Sequence, residues 1–230
     1  MSAFRYSQFV KLPTEWIEKR GLHRFRWSAG GSDHAAALLV LIAIAHRIDD
    51  EGVSKITYDE IQRVVSMSRA KVAAGINVLV QMAIIKKHED QSVYTLCGFN
   101  PFDSWAKLPA KGLYRDGAMY GFSDFNLRKP VELNALKLYL LFVSRRDRTL
   151  NLALISYDKI TDYTGIPREQ IKAGISLLTI GGLLHVDRVR SWESRVGKAN
   201  AYRVTHIEPS VHRGTIDVDE ELERRAFERL

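Results

Sequence analysis

The chain has 230 residues, 46% of them hydrophobic, a net charge of +7 and one cysteine. That apolar content can fill one large core or two small ones and excludes a disordered chain, while a lone Cys97 excludes the disulfide framework of small secreted domains. The positive excess belongs to the body, because residues 207–230 hold seven Asp/Glu against four Lys/Arg; a basic body suits a polyanion whose phosphates shed counterions when neutralised.

In chain order, Met1 to Pro13 alternates polar and aromatic residues and lacks the apolar run of a signal peptide. A buried helix is expected over Ala35 to His46, which is apolar almost all round but too short to span a bilayer. We therefore expect no membrane partner and a cytoplasmic, nucleoid-associated protein. Asp49-Asp50-Glu51 reads as a solvated loop. A second helix starts at Thr57, where Thr57-x-x-Glu60 has the spacing of a capping box. Ser66-Met67-Ser68 forms a tight turn, and a third helix runs from Arg69 to Met82. Two β-patterned segments follow, Ile84 to Lys87 and Val93 to Leu96, with an acidic tip at His88-Glu89-Asp90-Gln91-Ser92.

The connecting segment 99–130 is rich in aromatics, including Phe99, Phe102, Trp105, Tyr114, Tyr120, Phe122 and Phe125. Packing between two domains is the expected role, since aromatic side chains mostly fill cores and interfaces. A helix over Leu133 to Arg146 opens a second series. Ser156 caps the next helix, Gly165-Ile166-Pro167 forms the turn, and a helix runs from Arg168 to Ile180. Strands are expected over Leu184 to Val189 and Ala201 to Val204. The tail from Val218 to Leu230 alternates charge with apolar residues in the manner of a short amphipathic helix.

The two series match at an offset of 99 residues. Ile56-Thr-Tyr58-Asp59-Glu-Ile61 falls on Ile155-Ser-Tyr157-Asp158-Lys-Ile160, and Arg69 to Leu79 falls without a gap on Arg168 to Leu178, sharing Ala-Gly-Ile-x-x-Leu. The entry segments share Lys-Leu-Pro, at Lys11 to Pro13 and Lys107 to Pro109. Such self-similarity is the mark of an internal duplication. Tyr58 and Tyr157 occupy matching places, which points to a structural role rather than a nucleophile.

Helix, helix, tight turn, helix and hairpin is the winged helix-turn-helix order. Thr164 to Ile171, followed by Gly182-Leu183 to His185 and Gly197 to Tyr202, resembles the second half of a bacterial winged-helix domain. As a pair, the copies resemble the tandem winged-helix initiators of plasmid and mobile-element replication. The fold expected is mainly α with small β-hairpins (α+β): two tandem winged-helix domains at 1–98 and 99–206, with a charged tail at 207–230.

A resemblance of this kind implies double-stranded DNA as partner, with the third helix of each copy in the major groove. In copy two, Ile171, Gly174, Ile175 and Leu178 share an inner face, leaving Glu169, Lys172, Ala173 and Ser176 outside with Arg168 and Gln170 at the flank. These polar types suit base readout. The wing over 186–203 holds Arg188, Arg190, Arg195, Lys198 and Arg203 against Asp187 and Glu193, with Trp192 near its tip. Copy one offers Arg69, Lys71 and Asn77 on an alanine-rich helix and is assigned to homodimer formation or to supporting phosphate contacts. Replication initiation and transcriptional regulation need the same chemistry; a protein-interaction scaffold is the alternative from another class.

Enzyme signatures are missing. The sequence contains no G-x-x-x-x-G-K-[ST], no H-E-x-x-H and no pair of histidines one residue apart. We therefore expect no catalytic activity, no cofactor, no metal and no small-molecule ligand.

Overall fold

The computed structural model describes residues 5–89, 92–190 and 198–208. Among these the chain is a mixed α/β fold of seven α-helices with small antiparallel sheets. The first half runs β1 (Phe9–Pro13), α1 (Glu15–Glu18), α2 (Trp27–Ala45), β2 (Val53–Lys55), α3 (Tyr58–Val65), α4 (Arg69–Gln81), β3 (Ile85–Lys87) and β4 (Val93–Leu96). The second runs β5 (Trp105–Pro109), α5 (Pro130–Arg145), β6 (Ala153–Leu154), α6 (Tyr157–Thr164), α7 (Arg168–Ile180), β7 (Leu184–Arg190) and β8 (Lys198–Val204). Both sheets that follow a long helix have the same strand order, β2-β4-β3 and β6-β8-β7.

Helix α2 starts well before the Ala35 expected from periodicity. Its first turn, from Trp27, joins the remainder through Gly31, whose φ of 49° and ψ of −127° break the helical path. Glycine alone adopts that backbone cheaply, so apolar patterning could not see across the kink. From Ala35 to Ala45 every residue is buried. By length and composition α2 could cross a membrane, but 67% of its most apolar window lies inside the fold. It packs on α4 and α3 of its own half and on α5 of the other, which is why it needs no polar face.

The Lys-Leu-Pro entry segments are strands, not coil. β1 and β5 pair antiparallel with Lys11 opposite Lys107, flanked by Phe9 opposite Pro109 and Pro13 opposite Trp105. Leu12, Ala106 and Leu108 turn into the core, while Lys11 lies over the Trp105 ring at 5.0 Å and Lys107 over Phe9 at 4.6 Å. His46, at the end of α2, pins the ribbon: Nε2–H donates to the Pro109 carbonyl at 2.8 Å, and Nδ1 accepts from the Tyr114 hydroxyl at 2.8 Å. Burial lowers the pKa of this imidazole to about 3, so it stays neutral and keeps both bonds.

Each half also docks its entry segment on the other. Arg20 forks onto Asp162 of α6 through two 3.0 Å bonds, and the His23 ring meets the Asp162 carbonyl at 2.7 Å. In return, the Met119 amide donates to the Val64 carbonyl of α3 at 2.8 Å. Part of the aromatic connector is packed into the fold: Phe122 and Phe125 are buried and Tyr114 is half-buried. Phe102 and Tyr120 depart from that, being 93% and 55% exposed.

Candidate nucleic-acid interface

Helices α3 and α4, and again α6 and α7, are joined by three-residue turns that need one left-handed residue. Ser66 supplies it at φ 51° and Gly165 at φ 67°; glycine holds this conformation without the strain serine carries. Gly165 also faces the His23 ring, which would lie 3.0 Å from an added Cβ. The helix starts are capped as the sequence leads one to expect. Thr57 accepts from the Glu60 amide at 3.2 Å while Glu60 accepts from the Thr57 amide at 2.9 Å, closing the capping box; Ser156 accepts from the Lys159 amide at 3.4 Å.

The inner faces of the third helices match. Val72, Gly75, Ile76 and Leu79 of α4 are buried, as are Ile171, Gly174, Ile175 and Leu178 of α7. The two glycines set the distance of approach. A Cβ on Gly75 would sit 3.1 Å from the Ala36 and Ala37 backbone, and one on Gly174 would sit 2.7 Å from Leu138 Cδ1. The shared Gly-Ile pair is therefore a packing requirement of α4 on α2 and of α7 on α5, whereas the alanine before it is half-buried in α4 and exposed in α7.

The outer faces are open, with some predicted contacts already engaged. Glu169, Lys172, Ala173 and Ser176 are exposed on α7, and Asn77 is exposed on α4. Gln170 is exposed but its Oε1 accepts from Asn134 Nδ2 of α5 at 3.0 Å. At the matching position Lys71 is held more firmly, its Nζ donating to Asp33 at 2.6 Å and to Ser32 at 2.8 Å. Arg69 and Arg168 each bond an aspartate of the preceding helix, Asp59 and Asp158, and lie over Tyr58 and Tyr157 at 5.4 and 5.5 Å.

The second hairpin is the longer: β7 and β8 pair from Leu184 opposite Val204 to Arg190 opposite Lys198. Leu150, Leu152, Val189 and Ala201 form a small separate core beneath it. Arg188 is exposed, whereas Arg203 is bound to Asp187 by bonds of 2.8 to 3.1 Å. The side chains of Arg190 and Lys198, together with Arg195 and Trp192, lie outside the described residues, as does the tail from residue 209.

One cationic group escaped the sequence reading. Lys86 and Lys87 of β3 are exposed, and Lys87 Nζ lies 5.2 Å from the Tyr58 ring and 3.3 Å from its hydroxyl. In the sequence Glu89 and Asp90 follow within three residues and offset the charge of the Lys-Lys pair. Among the described residues no cluster of metal-ligating side chains occurs. No protein-family model matches the chain, and no curated protein matches it.

Proposed function

We propose that the chain is a non-enzymatic, sequence-specific double-stranded DNA-binding protein made of two winged-helix units that arose by duplication, acting as a replication initiator or a transcriptional regulator. The observation that carries this reading is the recurrence of one device: a helix pair with a tight left-handed turn, whose second helix buries one face and leaves the other open, followed by a hairpin. An open helix face of this kind fits the major groove. The +7 charge supplies the sequence-independent attraction. The second unit is the main reader, because α7 exposes Glu169, Lys172 and Ser176 where the equivalent positions of α4 are Ala70, Ala73 and Asn77.

The antiparallel ribbon joins the two Lys-Leu-Pro segments, Lys11 opposite Lys107, so the two halves are held together through equivalent segments. The alanine-rich outer face of α4, with Ala70 exposed and Ala73 half-exposed, favours a second reading for the first unit: a protein contact, either homodimerisation or a scaffold.

The test is binding of random-sequence and genomic-fragment duplexes across a salt series, comparing the wild type with an Arg188/Arg190/Arg195/Lys198-to-Ala variant. We expect affinity to fall steeply with salt, by about tenfold or more between 50 and 200 mM, and the variant to bind weakly with a shallower slope. Absence of binding at low salt would shift the assignment to the scaffold.

A further inference from the structure

Resting on the DNA-binding reading above, we infer that Arg69 and Arg168 are a matched pair of guanine readers, each held in its reading position by the aspartate and tyrosine of the preceding helix. The same three residue types meet in both halves: Tyr58, Asp59 and Arg69 in one, Tyr157, Asp158 and Arg168 in the other. Each arginine is the first residue of its helix, α4 or α7, and the N-terminal residues of a recognition helix are those that reach base edges.

The contact is poor as a structural fastener. The Arg168 and Asp158 side chains are 63% and 85% exposed, and an ion pair so open to water adds little to stability. As a positioning device it is well built. The carboxylate takes Nη1 and the guanidinium carbon lies over the ring, so the long side chain has already given up rotamer freedom before DNA arrives. Nε and Nη2 keep their donors, and a planar pair of donors matches the N7 and O6 acceptors of guanine.

Phosphate is the weaker match. An arginine whose charge is offset by its own aspartate gains little from releasing counterions, whereas the fixed donor geometry is what a base edge rewards. Lys71 and Gln170, two positions further along each helix, are tied to α2 and α5, which leaves the buttressed arginines as the preset donors at both helix starts. The recurrence of the arrangement in both halves implies a target with two guanines, one for each half.

The experiment is selection of binding sites from a randomised duplex pool by the full chain, followed by affinities of Arg69→Lys, Arg168→Lys, Asp59→Asn and Asp158→Asn for the selected site and for versions with each guanine changed to adenine. For the wild type we expect each change to cost roughly tenfold in affinity. Arg168→Lys and Asp158→Asn should each abolish discrimination at one guanine and keep it at the other, with melting temperatures near the wild type's. The proposal is overturned if the lysine variants leave guanine preference intact, or if the asparagine variants weaken all duplexes equally, as a phosphate contact or a purely structural pair would. Selected sites with no paired guanines overturn it as well and leave DNA binding standing, whereas failure of the wild type to bind any duplex at low salt removes both readings together.

Discussion

Lys137 lies on α5, 3% exposed, and its ammonium donates to the Phe25 carbonyl of the other half at 2.9 Å. Burial, and then the charge of Arg26, lower its pKa to about 8, against about 10.4 for an unperturbed lysine. Between these values the unfolded chain holds a proton that the folded chain has released, so stability rises as pH climbs from 8 toward 10. Above about pH 10 the trend reverses, because burial raises the Tyr94, Tyr139 and Tyr202 phenols and the unfolded chain ionises first. Urea titrations should show a gain of roughly 2 kcal/mol from pH 8 to pH 10, absent in Lys137→Met. At the offset of 99 residues the first half places Leu38, also buried, so an apolar side chain suits this type of site. A pH profile unchanged by the substitution would assign the effect elsewhere.

Glu132, at the third position of α5, is 6% exposed, and its carboxylate accepts from four backbone amides, those of Asn126, Leu127, Arg128 and Lys129, at 2.6 to 3.1 Å. It anchors the end of the connector to α5. Charge-assisted bonds to buried donors are costly to break, since the amides are left unpaired. Glu132→Ala should destabilise by about 3 kcal/mol, whereas Thr57→Ala, which removes an exposed cap, should cost about 1 kcal/mol. Chemical denaturation of both variants checks the order, and equal losses would mean that the four amides find other partners. The signal for this anchor was present, as Pro130 at the first helical position with glutamate two residues on. It passed unread because periodicity begins only at Leu133, where the apolar face starts.

Across the whole molecule, the halves exchange their entry segments. β1 finds its partner in β5, His46 is satisfied by Pro109 and Tyr114, and α2 buries a face against α5. A fragment ending at residue 98 would therefore expose the apolar flank of α2 and leave a strand unpaired. The full chain should unfold in one transition, coincident by tryptophan fluorescence and far-UV circular dichroism, and residues 1–98 alone should show no cooperative transition. A sharp, independent transition in that fragment would mean that the ribbon and the α2–α5 contact add little to the stability of the first half.

The sequence by itself determined the local units. The capping box at Thr57, the left-handed turn at Gly165 and the inner stripe from Ile171 to Leu178 depend on neighbours within a few positions, where propensity and periodicity act, and the match at 99 residues is read by setting the sequence against itself. Only the tertiary structure decided how those units use one another. The Lys-Leu-Pro segments are too short to declare themselves as strands without a partner nearly a hundred residues away, and Gly31 conceals the true start of α2. Arg69, Arg168, Lys71 and Arg203 read alike as free cations in the sequence. Their aspartate partners lie 10 to 38 residues distant, and folding alone brings each cation to its aspartate.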